Sequence, residues 1–221
     1  VSEVFVDAAV PAGIHQYEIV GRILSLHTGI LIFSEPSVIS AERSPLAPEI
    51  LGCTQPLQGQ NQVTWINTEA FDSLTLSRNG EVVAELDGSA TSYTDLDSLP
   101  GDSHYTLHAT VEGLVSSEAN CLVQRAPLPV SSLNCNNNGG IGILSWVNTE
   151  VWQQAEIHRD GLLIAILTEN ENTYQDDFLG NAGSGLHQYQ VRTFFDGLSE
   201  GESCIIASKG KLFNGAKILI Q

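Results

Sequence analysis

This sequence contains no methionine and few basic residues. Its 221 residues contain no Met and only 9 Lys and Arg against 26 Asp and Glu, which gives a net charge of −17. Nucleic-acid binding depends on Lys and Arg that neutralise phosphates, and an acidic surface is also repelled by anionic membranes. No apolar run approaches the roughly 18 residues that cross a bilayer. We therefore expect neither a nucleic-acid partner nor membrane insertion.

Signatures of catalysis are missing as well. The sequence has no Gly-x-Ser-x-Gly, no His-Glu-x-x-His, no phosphate-binding loop of the Walker type and no Cys-x-x-Cys pair. The start, residues 1–4, has neither an initiator Met nor a signal-peptide pattern, so we expect a mature product or a segment of a longer protein. Hydrophobic residues make up 42% of the chain, which is typical of a globular protein. We predict a non-enzymatic protein without a cofactor.

The chain repeats itself with an offset of about 81 residues. The stretch 65–69 (Trp-Ile-Asn-Thr-Glu) recurs at 146–150 (Trp-Val-Asn-Thr-Glu). The stretch 43–46 (Arg-Ser-Pro-Leu) recurs at 125–128 (Arg-Ala-Pro-Leu). Extra residues in the second copy fall in a Gly-rich stretch at 180–183, as expected of a surface loop. The repeated unit is therefore one small domain.

The same template divides the whole chain into four parts. Gly13–Tyr17 nearly repeats Gly185–Tyr189, so residues 1–43 match the C-terminal half of a repeat whose first half is absent. The predicted parts are this half repeat at 1–43, complete repeats at 44–126 and 127–208, and a linker with the first strands of a further repeat at 209–221.

Alternating polar and apolar residues predict short strands within each repeat. Ser73–Arg78 alternates and then reaches Asn79-Gly80, which is the strongest short signal for a hairpin because both turn residues need a positive φ. The second copy has Asp160-Gly161 at the same place. About seven strands in about 80 residues, with no helical periodicity, predict an all-β fold of tandem β-sandwiches.

These motifs resemble those of a known family. A Trp that ends the second strand, an Arg-Asn/Asp-Gly hairpin, a Tyr-x-Asp turn and a late strand with a central Tyr are similar to fibronectin type III repeats, which are immunoglobulin-like sandwiches arrayed in large secreted bacterial proteins. The resemblance covers nearly the whole chain. It implies tandem sandwich domains and an extracellular or cell-surface location. It implies no single activity, because such repeats serve as spacers, adhesins and enzyme accessories.

The four cysteines depart from the ordinary family pattern, which has no disulfide. Four cysteines allow three pairings. The repeat favours Cys53–Cys121 and Cys135–Cys204, because each bridge then closes within its own repeat by joining the first and last strands. Those strands are neighbours in the fold that the chain resembles, so the short Cα separation that a disulfide requires is available. Structural disulfides place a protein outside the reducing cytosol.

Aromatic residues supply the candidate binding site. Trp65 and Trp146 share one strand position and are predicted to lie in the core. Trp152, Phe194 and Phe195 could form a stacking surface for a sugar or a partner protein, although core or rim packing of Trp152 is the alternative.

We expect structural roles, rather than catalysis, for the histidines and for the clustered carboxylates. His15, His104 and His187 lie on the strands that carry the repeated Tyr, and we predict that they face solvent rather than form an active site. The acidic clusters favour turn formation, with calcium binding where loops meet as the second hypothesis. The residues concerned are Asp95, Asp97, Asp102, Glu169, Glu171, Asp176 and Asp177.

Two functional hypotheses follow. The first is a structural or adhesive extracellular array, either a segment of a longer array or a fibre subunit in which the tail of one copy completes the head of the next by strand addition. The second is a carbohydrate- or protein-binding accessory module of a larger secreted enzyme. The partners would be proteins or further copies of the chain in the first case, and a carbohydrate or protein in the second.

Overall fold

The computed structural model describes residues 4–168, 171–177 and 184–209, and their regular structure consists of strands alone. None of these residues forms a helix that could span a bilayer. The tail from residue 210, the Gly-rich stretch 180–183 and Glu169 lie outside the described residues. We call residues 4–43 the head, 44–126 the first repeat and 127–208 the second repeat.

The strands follow the alternation of the sequence. In the head they are β1 (Gly13–Ile19), β2 (Arg22–Leu24), β3 (Leu31–Phe33) and β4 (Ser37–Arg43). In the first repeat they are β5 (Glu49–Leu57), β6 (Gln60–Ile66), β7 (Ser73–Arg78), β8 (Glu81–Asp87), β9 (Ser92–Asp95), β10 (Gly101–Val111), β11 (Leu114–Val115) and β12 (Ala119–Arg125). In the second repeat they are β13 (Ser131–Asn138), β14 (Ile141–Val147), β15 (Gln154–Arg159), β16 (Leu162–Thr168), β17 (Thr173–Asp176), β18 (Gly185–Phe195) and β19 (Leu198–Ser208).

Each complete repeat contains two antiparallel sheets. One sheet has the order β5-β6-β9 in the first repeat and β13-β14-β17 in the second. The other has the order β8-β7-β10-β11 with β12 also on β10, and β16-β15-β18-β19 in the second repeat. First, second and fifth strands thus share a sheet in both repeats, which confirms the predicted all-β sandwich class.

The predicted hairpins are present at both positions. Asn79 and Gly80 have φ values of 52° and 86°, and Asp160 and Gly161 have 52° and 80°. Asn and Asp tolerate this left-handed region better than other residues with a side chain, and Gly enters it freely. The turns join β7 to β8 and β15 to β16.

Alternation also decides which side chains form the cores. The first repeat buries Val63, Trp65, Leu74, Leu76, Tyr105, Leu107 and Ala109. The second repeat buries a cluster of Val130, Leu144, Trp146, Trp152, Ala155, Ile157, Leu167, Tyr189, Val191 and Ile206. The predicted core position of Trp65 and Trp146 is confirmed.

The described chain divides into two compact units whose boundaries do not coincide with the repeats. One unit contains described residues of 1–54, 62–95 and 104–122, which are the head and most of the first repeat. The other contains 55–61, 96–103 and the described residues from 123 onward, so three segments of the first repeat cluster with the second repeat.

Both predicted disulfides are present. Cys53 is bonded to Cys121 and Cys135 to Cys204, with Cα separations of 6.0 Å and 6.1 Å. The second bridge ties β13 to β19, the first and last strands of its repeat.

The head lacks an opposing sheet among the described residues. Strand β1 pairs with β4, and β2 pairs with β3. The register places Ile39 opposite Tyr17, as Cys204 lies opposite Tyr189 in the second repeat. Ile39 therefore occupies the cysteine position of this half repeat.

Candidate functional site: the repeated linker clamp

The first linker, residues 44–48 between β4 and β5, is held by a carboxylate in the turn after β6. Arg43, the last residue of β4, forms a salt bridge with Glu69. The backbone N–H of Leu46 donates to the other oxygen of the same carboxylate at 2.5 Å. Thr68 donates its hydroxyl to the carbonyl of Ala47 at 3.1 Å. Thr68 and Glu69, in the turn after β6, thus contact Arg43, Leu46 and Ala47.

The second linker, residues 126–130 between β12 and β13, repeats this arrangement within the other unit. Arg125, the last residue of β12, makes a bidentate pair with Glu150, with N···O distances of 2.8 Å and 3.1 Å. The backbone N–H of Leu128 donates to Glu150, and Thr149 donates to the carbonyl of Pro129 at 2.9 Å. We call the two sets, Arg43–Glu69 and Arg125–Glu150 with their backbone bonds, the linker clamps.

Local chemistry explains why these residue types are needed. The planar guanidinium matches the two oxygens of a carboxylate, so a bidentate pair fixes orientation as well as distance. Pro45 and Pro127 stand between the arginine and the leucine, and a proline fixes φ without offering a competing N–H. The leucine N–H, which is the next backbone donor after the proline, binds the carboxylate.

Electrostatics favour the charged form of the clamp. Burial alone would raise the pKa of Glu69, but the hydrogen bonds from Arg43 and from the N–H of Leu46 outweigh it and hold the pKa below its usual value. The side chain of Arg125 is 1% exposed and also donates to the carbonyl of Ser98 at 2.7 Å. A buried arginine of this kind is stable only when paired. The clamps therefore hold backbone in place.

A second polar cluster recurs inside the sandwiches. Asp95 accepts a hydrogen bond from the hydroxyl of Tyr105 at 2.7 Å and pairs with Arg78. In the second repeat Asp176 accepts from Tyr189 at 2.6 Å and pairs with Arg159 in the same way.

Burial, together with the hydrogen bond to Asp176, raises the pKa of Tyr189 far above its usual value, so this tyrosine stays a neutral donor. The head has the equivalent aspartate and tyrosine, since the hydroxyl of Tyr17 donates to Asp7 at 3.2 Å. Recurrence in every copy indicates a structural cluster rather than a unique active site.

The aromatic candidates are not brought together on the surface. Trp152 is 2% exposed and belongs to the core of the second repeat, so its indole is packed in the core rather than on a stacking surface. Phe194 and Phe195 are half-buried. The guanidinium of Arg192 lies 5.3 Å from the centre of the Phe194 ring, and Phe195 lies against Gly101. A stacking surface on Phe194 and Phe195 stays a prediction.

Of the three histidines predicted to face solvent, His187 is buried and His15 is half-buried. His187 is buried, and its Nδ1 lies 2.7 Å from Oδ2 of Asp160 in the β15–β16 turn. This hydrogen bond is the main reason that the pKa of Asp160 is lowered. Alternation could have predicted this burial, because His187 and the buried Tyr189 are two residues apart and therefore lie on the same face of β18. His104 is exposed, as predicted.

The acidic candidates do not form a metal centre in the part of the chain that is described. There, no group of three or more His, Cys, Asp or Glu side chains is placed to hold a metal ion. Asp95 and Asp176 contact arginine, as above, while Asp177 and Glu171 are exposed. Calcium binding at the remaining acidic residues stays a hypothesis.

A shallow cavity of about 300 Å³ lies beside the second clamp. Residues 55–58, 126–128 and Glu200 line it, so the linker itself forms part of its wall. It holds one carboxylate, which is too little to specify a ligand.

No family model and no curated protein matches the sequence. Among solved structures, a segment of two fibronectin type III domains from chicken tenascin matches with a TM-score of 0.60. It is 14% identical, and the match covers 73% of this chain and 99% of that one. The chain has the fibronectin type III fold. Fibronectin(III)-like modules of Clostridium thermocellum CbhA match at 11% identity over 72% of this chain and 94% of theirs, with a TM-score of 0.31.

The clamps give two of the repeated motifs a structural role. The Trp-x-Asn-Thr-Glu and Arg-x-Pro-Leu stretches are the two halves of one contact, although the sequence shows them only as separate repeats. The sequence signal that could have linked the two motifs is that the glutamate of one and the arginine of the other recur together in each copy.

Proposed function

We propose that this chain is a non-enzymatic, extracellular structural array in which each fibronectin type III-like repeat is fixed to its neighbour through the linker clamp. The observation that carries the proposal is the recurrence of the clamp at both linkers. Such a contact at successive linkers orients neighbouring repeats, a role that an isolated binding module does not have. The disulfides in both repeats fit an extracellular protein.

Removal of the clamp carboxylate tests this function. Glu150→Ala should expose the Arg125–Ala126 peptide bond to trypsin and speed cleavage there about tenfold or more, because charge-assisted hydrogen bonds of ~1.5–3 kcal/mol are lost. Cleavage is followed by mass spectrometry under limited proteolysis. Glu202→Ala, which removes an exposed carboxylate of β19, is the matched control. Equal cleavage rates in parent, variant and control would show that the clamp does not fix the linker.

Strand addition between copies is the finer form of the proposal. In the complete repeats β10 and β18 have partners on both edges, whereas β1 pairs on one edge among the described strands. Ile19 of β1 and Ile39 of β4 are 56% and 50% exposed. A free edge beside exposed apolar side chains is a template for another strand. A second copy that supplies this strand would produce a head-to-tail fibre.

Sedimentation at increasing protein concentration tests the fibre. The parent should form larger species as concentration rises, and Ile19→Lys should suppress them, because a lysine on an edge strand opposes pairing. Leu162→Lys, a change at a leucine of edge strand β16 that is 71% exposed, is the control. A concentration-independent monomer with protected amides from Tyr17 to Leu24 would contradict strand addition and leave the array proposal intact.

The accessory-module function is the second candidate. It is favoured only by Phe194, which is half-buried and lies beside Arg192, an arrangement in which a ring face and a cation could contact a sugar. A glycan screen of the parent against Phe194→Ala separates it from the array. Absence of binding by the parent removes this candidate.

A further inference from the structure

The two disulfides lie close to where the chain enters and leaves each repeat. Cys53 is on the first strand of its repeat, β5, and Cys121 is on the last strand, β12. In the second repeat Cys135 on β13 is bonded to Cys204 on β19. The bridges span 68 and 69 residues of sequence, which is most of each repeat. Force applied along the chain therefore reaches a bridge after a short stretch of the repeat.

This placement provides a covalent path past each core. Once tension reaches Cys135 it continues through the bridge to Cys204, so residues 136–203 cannot be drawn out. Strand β13 belongs to one sheet and β19 to the other, so the same bond keeps tension from pulling the two sheets apart. Without the bridge the loop of 69 residues would add about 220–250 Å to the fully extended repeat, at about 3.3–3.6 Å per residue.

Thermodynamic stability alone does not select these positions. In the chain-entropy model the gain grows only with the logarithm of the number of residues in the closed loop, so bridges between many other pairs of strands would stabilise a repeat almost as well. A bridge between the first and last strands encloses nearly the whole repeat, and both repeats have it. This is the placement that keeps tension out of a core.

The second clamp holds the segment that lies between the two bridges. We call this segment, residues 122–134, the joint, and it can be extended to at most about 50 Å. Within the joint, Arg125 and the N–H of Leu128 bind Glu150, which lies inside the loop that the second bridge closes. Tension thus passes from Arg125 into the bridged body of the second repeat. The part of the joint after Arg125 cannot extend until the clamp opens.

We propose that the array is a tether that bears tension, in which the bridges keep force out of the sandwich cores and the clamp at the joint is the element that yields first. Under load the joint lengthens by no more than its own short segment, while the bridged body of each repeat is not drawn out. The tether role rests on the array function proposed above and specifies the force that the array resists. The bridges then have a mechanical role that the free energy of unfolding alone does not measure.

Stretching single molecules of the full chain tests the bridges. Handles joined to both ends by peptide ligation leave the four cysteines unmodified, and a constant load is applied without reductant. Cys135→Ala with Cys204→Ala should reach a final extended length about 220–250 Å greater than that of the parent, and replacement of all four cysteines should add about twice as much. Asn134→Ala with Ser203→Ala, which changes exposed neighbours of the bridge, is the control and should keep the length of the parent.

Resistance to load is the second readout for the bridges. Forced unfolding is governed by the rate of unfolding, which a bridge across the path of tension should suppress. At a load at which the four-alanine variant lengthens in steps of more than about 200 Å, the parent should show no such step over a period at least about tenfold longer.

Glu150→Ala tests the clamp in the same instrument. At fixed load it should raise the rate of a short step of at most about 50 Å by about tenfold or more, because the charge-assisted hydrogen bonds that hold the joint are lost. The final extended length should stay that of the parent, since both bridges remain. Glu202→Ala, at an exposed carboxylate of β19, is the matched control and should leave the short step unchanged.

The outcomes separate the tether role from the array function. If the four-alanine variant reaches the length of the parent, or resists the load for as long, the bridges do not carry tension and the tether role is wrong. If Glu150→Ala speeds tryptic cleavage after Arg125 but leaves the short step unchanged, the array function stands and the clamp is not the element that yields, which overturns the tether role. If Glu150→Ala changes neither cleavage nor the short step, both proposals fail.

Discussion

Asp176→Ala should lower the free energy of unfolding of the second repeat by about 3–5 kcal/mol, the range for breaking a buried ion pair from one side. Asp176 is 2% exposed and holds two groups at once, the guanidinium of Arg159 and the hydroxyl of Tyr189. Alanine leaves a positive charge and a hydroxyl inside the sandwich without their acceptor. The remaining carboxylates nearby are exposed and cannot replace it without rearrangement.

Urea unfolding followed by amide exchange in β14 and β18 measures this loss. Asp177→Ala changes the adjacent, exposed carboxylate and should stay within about 0.5 kcal/mol of the parent. Adding Arg159→Leu to Asp176→Ala removes the stranded charge and should recover part of the loss. Equal midpoints for Asp176→Ala and Asp177→Ala would show that the cluster is not a structural determinant.

Much of the fold could be predicted because each repeat encodes it locally. Positive φ at Asn79 and Asp160 follows from the residue types of the turn, and the buried positions of Trp65 and Trp146 follow from strand alternation. The disulfide pairing followed from repetition, since each bridge had to close within one copy. These features depend on short-range chemistry, which one sequence displays.

The candidate site was harder to predict because it depends on contacts across repeats. Arg43 and Glu69 are 26 residues apart, and only folding brings the end of one repeat against a turn of the next. The hydrogen bond of His187 likewise depends on Asp160, a turn residue 27 positions away in sequence. The sequence alone does not decide whether Trp152 lies in the core or on the surface, because its counterpart in the first repeat is Phe71 and aromatic residues occur in both places.

Loss of the Cys135–Cys204 bridge should destabilise the second repeat by about 4 kcal/mol in the chain-entropy model. The bridge spans 69 residues of sequence, so the reduced unfolded chain gains a large number of conformations. It also ties β13 to β19, and these two strands delimit the repeat. Cys135→Ala with Cys204→Ala, compared with the parent by calorimetry and by urea unfolding, measures the effect.

The first repeat supplies the matched control, because its own bridge spans 68 residues and joins equivalent strands. Cys53→Ala with Cys121→Ala should cost a similar amount, and each pair of substitutions should shift chiefly the transition of its own repeat. A reductant added to the parent should lower both transitions together, and the four-alanine variant should not respond to it. If the alanine variants lost less than about 1 kcal/mol, the clamps and cores would suffice and the bridges would serve a purpose other than stability.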